Sequence, residues 1–388
     1  MIKNPFYKIS DDSNNIFTIR EREYELIFEQ VREILKPVEE AGFEISEFAM
    51  KDATSIELEK TLKKQLVIKL KKGTQDIDLS LLIPKIINKN YIMIAGKKKI
   101  PLFQLYDIPI VTRGKNIKIR TNITTLLVSV LDKKPEGKSE NKSYVNISFM
   151  GKDVPLALIA LCYFGPESLY ERLNIENFDN YENPTSDYDK FLTDVRDIFL
   201  TVEDPKDKNL IDKLGKYYTT YDFKKKAEIA IYALDLISKV DIMTMKFMKN
   251  DNLVDEIIEL LRDGAYIDDT DYLNKRVRCF EYVVLASVMK VVYDLCVSSK
   301  TSKSKFNINS KQILSKCNVS DIVQFDFSIN PIDELTKLTR TTLVGPGGFE
   351  KDNIPHYLRD LTPSMFGRLC PVDTSDRGNC GVLQCLLP

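Results

Sequence analysis

Residues 324–381 read QFDFSINPIDELTKLTRTTLVGPGGFEKDNIPHYLRDLTPSMFGRLCPVDTSDRGNCG. The Gly345-Pro346-Gly347-Gly348 string is a tight turn, built from residues that reach dihedral angles closed to most side chains. No Gly-Lys-Ser/Thr follows it, so it is not a nucleotide-binding P-loop. After Gln324 the hydrophobic periodicity fades, while Gly, Pro and apolar residues stay frequent. Such a tail is expected to be ordered but irregular.

Upstream of this stretch the pattern is regular. Residues 18–36 carry apolar side chains at helical spacing (Tyr24, Ile27, Phe28, Val31, Ile34) and stop before Pro37. Residues 65–71 alternate apolar and polar, as a strand does, and Lys72-Gly73 ends them. Residues 76–83, 91–95, 117–131 and 144–150 are further strand segments; Ala95-Gly96 marks a turn, and the polar residues 132–142 mark a loop or hairpin tip. Residues 154–163 form an apolar helix with Pro155 at its start. From 186 onward helices are expected at 188–202, 209–216, 223–248, 253–261 and 280–297, with Ser- and Lys-rich residues 298–305 as a linker. The fold class is α+β, multidomain: a β-rich first third, a largely helical middle and an irregular C-terminal region.

The chain has 388 residues, enough for two or three domains. Its net charge of −1 gives no overall electrostatic footprint for nucleic acid, so any such contact must come from local patches or basic partners. The first residues lack the apolar core of a secretory signal, and Glu281, Lys290 and Asp294 interrupt the most apolar helix, which reads as buried rather than membrane-spanning. Seven cysteines without a CxxC pair indicate reduced thiols and a cytoplasmic location. His356 is the single histidine, which argues against a triad within this chain. Asp268, Asp269 and Asp271 either bind a divalent cation or cap a turn before a helix. The groups Lys63-Lys64, Lys69, Lys71-Lys72 and Lys97-Lys98-Lys99 are solvated surface or a phosphate-facing patch.

The opening stretch resembles the β subunit of multisubunit DNA-directed RNA polymerases. That family runs QF, NPL, E-x-T, an arginine, GPGG, R-D and then YGR-x-CP-x-ETPEG-x-N-x-G. Here Gln324-Phe325, Asn330-Pro331, Glu334, Thr336, Arg340, the GPGG string, Arg359-Asp360, Gly367-Arg368, Cys370-Pro371, Thr374, Asn379 and Gly381 fall in the same order without a gap. Two upstream segments agree. YIMIAGKKKIPLFQLYDIPIV, residues 91–111, shares Gly96, Gln104, Leu105 and Pro109 with the family's F-x-I-N-G-x-E-R-V-I-V-S-Q-L-x-x-x-P-G. Asp268-Asp269-Thr270-Asp271 with Asn274-Lys275-Arg276-Val277-Arg278 is similar to DD-x-D-x-x-GNRRVR, one residue shorter and without the glycine. The DTSDRG string departs from the family's ETPEG, which leaves the role of Asp376 the least secure to carry over.

The resemblance implies a first lobe (protrusion) from 1–110 and 268–323, a second lobe inserted at 111–267, and a fork region with the start of the hybrid-binding domain at 324–388. It implies nucleic-acid-binding roles for Gln324, Arg340, Lys351, Arg359, Arg368, Asp376 and Asn379. The catalytic Mg²⁺ of the assembled enzyme would sit on another subunit, because no DFDGD-type triplet occurs here. Implied partners are a C-terminal β-like chain, β′-like chains, a promoter-specificity subunit, DNA template and RNA transcript. The sequence ending at Pro388 in apolar residues resembles the split β subunits of giant-bacteriophage polymerases, with an infected bacterial cell as the setting. In the family, rifamycins lie against the segment aligned with 324–344, and the register puts Phe327, Lys337 and Thr342 where an aspartate, a histidine and a serine hold the drug. The competing reading is a non-catalytic DNA-binding or scaffold protein derived from a polymerase fragment.

Overall fold

A computed structural model describes residues 23–53, 61–73, 75–88, 90–113, 116–133, 142–149, 151–173, 184–200, 222–264, 271–301, 315–317, 321–350, 353–374 and 380–387. The fold is α+β. Two compact units divide it, one holding the described residues of 1–108 and 269–388, the other those of 109–268.

The first unit opens with helices α1 (Glu23–Ile34) and α2 (Lys36–Glu40). Ile27, Val31 and Ile34 share one buried stripe at helical spacing. Pro37 sits in the first turn of α2, which is why the chain changes direction there. An antiparallel sheet follows, β1 (Glu44–Asp52), β2 (Lys63–Lys72) and β3 (Gln75–Pro84), in that spatial order. A second sheet has the order β14-β6-β5-β4, from Val323–Phe325, Lys97–Pro101, Tyr91–Ile94 and Ile86–Ile87. The expected turn at 95–96 joins β5 to β6; Ala95 and Gly96 both have positive φ (53° and 72°), the pairing that a tight two-residue hairpin requires.

The third sheet carries the order β13-β7-β15-β17-β16. Its strands are β7 (Phe103–Asp107), β13 (Lys275–Arg278), β15 (Arg340–Thr342), β16 (Leu369–Thr374) and β17 (Leu383–Leu386). Only β15 runs parallel to β7; the other pairs are antiparallel. The tail is thus less irregular than its composition suggests, because its short strands complete two sheets begun more than two hundred residues earlier. It also holds a helix, Pro331–Thr339, which the sequence reading did not place. Its start is capped by the Asn330 side chain, which accepts from the Asp333 N–H at 2.8 Å. Leu105, Leu343, Val344, Leu358, Met365 and Leu369 belong to the buried core of this region. The apolar helix expected at 280–297 is Glu281–Thr301.

The second unit is a five-stranded antiparallel meander, β12-β11-β10-β9-β8, made by Lys152–Pro155, Lys142–Phe149, Thr125–Lys133, Asn116–Arg120 and Ile110–Arg113. Helix Leu156–Phe164 begins after Pro155 and is buried throughout its first six residues, which its uniform hydrophobicity requires. The helix expected over 223–248 is instead two, Asp222–Val240 and Ile242–Met245. Asp241 divides them: fully buried, it caps the second by accepting from the Thr244 N–H at 3.0 Å and also takes the Asn122 amide at 2.8 Å. Helix Leu253–Asp263 has Asn252 as its N-cap and ends at Gly264 in the left-handed conformation. The helix expected at 209–216 lies outside the described residues. Among the described residues no helix is long and apolar enough to cross a membrane.

Candidate nucleic-acid interface

The three segments singled out in the sequence meet inside the first unit. β7 supplies Gln104, β13 supplies Arg278, and the GPGG turn leaves the end of β15. Gln104 is fully buried; its Nε2 donates to the Val344 carbonyl at 3.1 Å, and its Oε1 accepts from Arg278 Nε at 2.8 Å. Arg278 Nη2 donates to the Pro346 carbonyl at 3.2 Å, and the Tyr282 hydroxyl donates to the same oxygen at 2.8 Å. The guanidinium lies 3.7 Å from the Tyr282 ring centroid and 4.2 Å from that of Tyr106. Burial pulls its pKa down, yet a guanidinium in this setting keeps its charge. One cation therefore fixes the turn through hydrogen bonds and two aromatic faces at once.

The glycines have steric reasons here. A Cβ on Gly345 (φ +125°) would come within 2.5 Å of Ile322, and one on Gly348 within 2.5 Å of Gln104 Nε2 and 2.8 Å of the Leu343 carbonyl. The turn closes on itself through Gly348 N–H to the Gly345 carbonyl at 2.9 Å and Phe349 N–H to the Leu343 carbonyl at 3.1 Å. Beside this network Lys275 and Asp107 form a buried ion pair across β13 and β7. Gln104 and Arg278 stood inside the resembled segments, so a signal existed for them; Tyr282 had none.

Of the sequence-predicted site residues, Gln324 and Arg340 are brought together. Gln324 Nε2 donates to the Lys337 carbonyl at 3.0 Å, and Arg340 Nη1 reaches Gln324 Oε1 at 3.5 Å, both side chains half-buried. Arg359 ends a short 3₁₀ turn, His356–Leu358, and its backbone is packed against Gly381, where a Cβ would meet the Arg359 carbonyl at 2.8 Å. Arg368 is exposed and donates from Nη1 to the Ser364 carbonyl at 2.9 Å. Lys351, Asp376 and Asn379 lie outside the described residues, as do Asp268 and Asp269. Asp271 caps the 3₁₀ turn Tyr272–Asn274 by accepting from the Leu273 N–H at 2.9 Å. No group of three potential metal ligands stands together among the described residues.

Known proteins are similar to this part of the chain in sequence. Residues 324–386 match the family model of RNA polymerase Rpb2, domain 3. The chain is also similar to DNA-directed RNA polymerase subunit beta of Rickettsia massiliae (strain Mtu5), 30% identical over 165 residues, which is 39% of this chain and 12% of the relative. The corresponding subunit of Cyanidioschyzon merolae is 28% identical over 188 residues, 44% of this chain and 18% of the relative. That of Rickettsia canadensis (strain McKiel) is 27% identical over 211 residues, covering 48% and 15%. The chain thus spans less than a fifth of the length of these curated relatives.

Proposed function

We propose that this chain is a β-like subunit of a multisubunit DNA-dependent RNA polymerase, forming one wall of the DNA cleft and part of the RNA–DNA hybrid site. The observation that carries this reading is the match of residues 324–386 to an RNA polymerase domain, on a tail whose Gln324 and Arg340 sit side by side. Gln324, Arg340, Lys351, Arg359, Arg368, Asp376 and Asn379 are its nucleic-acid contacts, the arginines and lysine through phosphates and the amides through sugar or phosphate oxygens. Residues 1–110 with 268–323 form the first lobe, 111–267 the second, and 324–388 the fork region.

Nucleotidyl transfer in the assembled enzyme uses Mg²⁺ held by a β′-like chain, and this chain contributes walls rather than the reacting centre. Further polypeptides cover it: a C-terminal β-like chain, β′-like chains and a promoter-specificity subunit. Leu361, Phe366 and Val372, which the tail leaves largely exposed, support such a cover.

The test is affinity purification of the chain from its native source, followed by transcription from a primed template with Mg²⁺ and nucleotides. The complex is expected to contain β′-like chains and to extend the primer, and the chain alone to extend nothing. In the complex, Arg368→Ala or Asn379→Ala is expected to shorten elongation-complex lifetime without preventing assembly. Purification without any polymerase-like partner would refute the proposal in favour of a scaffold.

A further inference from the structure

β14 is the edge strand of its sheet, and it pairs with β6 so that Phe325 lies opposite Lys99. Strand alternation puts Lys97 and Lys99 on one face of β6 and Lys98 on the other. On the first face the ammonium groups of Lys97 and Lys99 lie 5.2 and 4.8 Å from the Phe325 ring centroid. Burial and the neighbouring Lys97 charge lower the Lys99 pKa, the mark of two cations crowded against one ring. Lys98 points away, lying 3.5 Å over the Tyr91 ring and pairing with Asp326 at 2.8 Å. The nearby carboxylate of Asp326 is therefore engaged on the opposite face.

Beyond Phe325 the chain sets down a second ring. Phe327 is 74% exposed, Phe325 42%, and their centroids are 5.6 Å apart at a 36° tilt. A phenylalanine this exposed and packed at a tilt against another is unusual in a surface without a partner. A purely apolar partner would have to strip water from two ammonium groups, which is costly without compensation. An unpaired nucleotide fits both features: the π-face of its base stacks on an aromatic ring, and its phosphate meets the cations. Duplex bases have no free face along their length, so the chemistry selects single strands or strand ends.

We propose that Phe325 and Phe327, flanked by Lys97 and Lys99, form a stacking platform for unpaired bases of a single-stranded nucleic acid. This deepens the polymerase reading and rests on it for bringing a strand to this face. The test uses the full chain and fluorescence anisotropy with labelled oligothymidylate and oligouridylate octamers, which separate a DNA strand from a transcript, beside an abasic octamer carrying the same phosphates. Phe327 is so exposed that Phe327→Ala leaves the fold intact. It is expected to weaken binding of the base-bearing octamers by about tenfold, within the range measured for one stacked base. The abasic octamer is expected to bind wild type and Phe327→Ala alike, and Phe327→Trp to restore affinity. Lys97→Gln with Lys99→Gln is expected to weaken all three octamers and to reduce the salt slope by about 1.4.

Equal binding of base-bearing octamers by wild type and Phe327→Ala, or no binding by the chain at all, overturns the platform. Unchanged octamer binding together with loss of β′-like chains on purification of Phe327→Ala would assign the surface to a protein contact and leave the polymerase reading standing. Base-dependent binding by a chain that purifies without polymerase partners would keep the platform and remove the polymerase reading.

Discussion

Gly348→Ala tests whether the GPGG turn is fixed by the buried Gln104–Arg278 pair. The added Cβ would sit 2.5 Å from Gln104 Nε2 and 2.8 Å from the Leu343 carbonyl oxygen. Neither atom can move freely. Gln104 is fully buried and holds hydrogen bonds of 3.1 and 2.8 Å, to Val344 and from Arg278. The Leu343 carbonyl accepts the Phe349 N–H. Overpacking a rigid site costs about 1–3 kcal/mol. Opening the Gln104 hydrogen bonds leaves buried polar groups unpaired, one facing a guanidinium, at about 1–3 kcal/mol each.

The combined cost is at least about 3 kcal/mol, a hundredfold or more in the local opening equilibrium. Because the chain has two compact units, a single global transition is the wrong readout. Hydrogen exchange at the Gly345, Gly348 and Phe349 amides reports this opening directly. Adding Gln104→Ala removes the nearer clash but not the Leu343 one, so the double variant is expected to lose less protection than the two single losses summed. Protection unchanged within about 0.5 kcal/mol in Gly348→Ala, below the overpacking range, or strict additivity in the double variant, would refute the idea that Gln104 and the turn share one rigid site.

Two other outcomes are expected. The polymerase proposed above should transcribe at rifampicin concentrations that stop a typical bacterial enzyme, because Phe327 is bulky and exposed, the Lys337 ammonium is tied to Asp333 at 2.7 Å, and the buried Thr342 hydroxyl accepts the Val344 N–H at 3.0 Å; inhibition at an equally low concentration would show the register to be wrong. In the folded chain at pH 8, iodoacetamide should modify exposed Cys380 and spare Cys296 and Cys385, whose thiols burial pushes up to about 11 and about 12, leaving almost no thiolate; mass spectrometry showing Cys385 labelled as fast as Cys380 would contradict this.

Elements whose own residues set their limits were legible in the sequence. Helix Leu253–Asp263 announced itself by an amphipathic run that stops at Gly264, and β2 and β3 by their alternation. Elements defined by distant partners were not. Arg340–Thr342 is a strand because β7 and β17 lie on either side of it, and three residues carry no periodicity. β1 was missed because its side chains are partly exposed on both faces, which blurs the alternation. The helix Pro331–Thr339 did carry a signal, Asn330 as cap, Pro331 at its start and Asp333 and Glu334 in its first turn, hidden by the Gly- and Pro-rich sequence around it. The break at Asp241 was invisible because the residue that makes it necessary, Asn122, is remote in sequence.

The same distinction decides which resembling residues bear on function. Gln104, Arg278, Gly345 and Gly348 matched in three separate segments, and they prove to be one packing unit joined by hydrogen bonds and steric fit. Their agreement with the polymerase pattern is explained by the need to build this turn, so it speaks for the fold and is silent on chemistry. Arg278, the most conspicuous cation of that set, is turned inside: its guanidinium is buried, hydrogen-bonded to Gln104 and Pro346 and covered by two tyrosine rings, so a phosphate does not reach it. Arg368 differs, since it is exposed and donates to the neighbouring Ser364 carbonyl, an arrangement that a phosphate can displace. Arg340 is intermediate, half-buried with Gln324 at its limit of reach. Substituting Arg278 should therefore damage folding before function, whereas Arg368 and Arg340 are where the nucleic-acid contact proposed above can be tested in a folded chain.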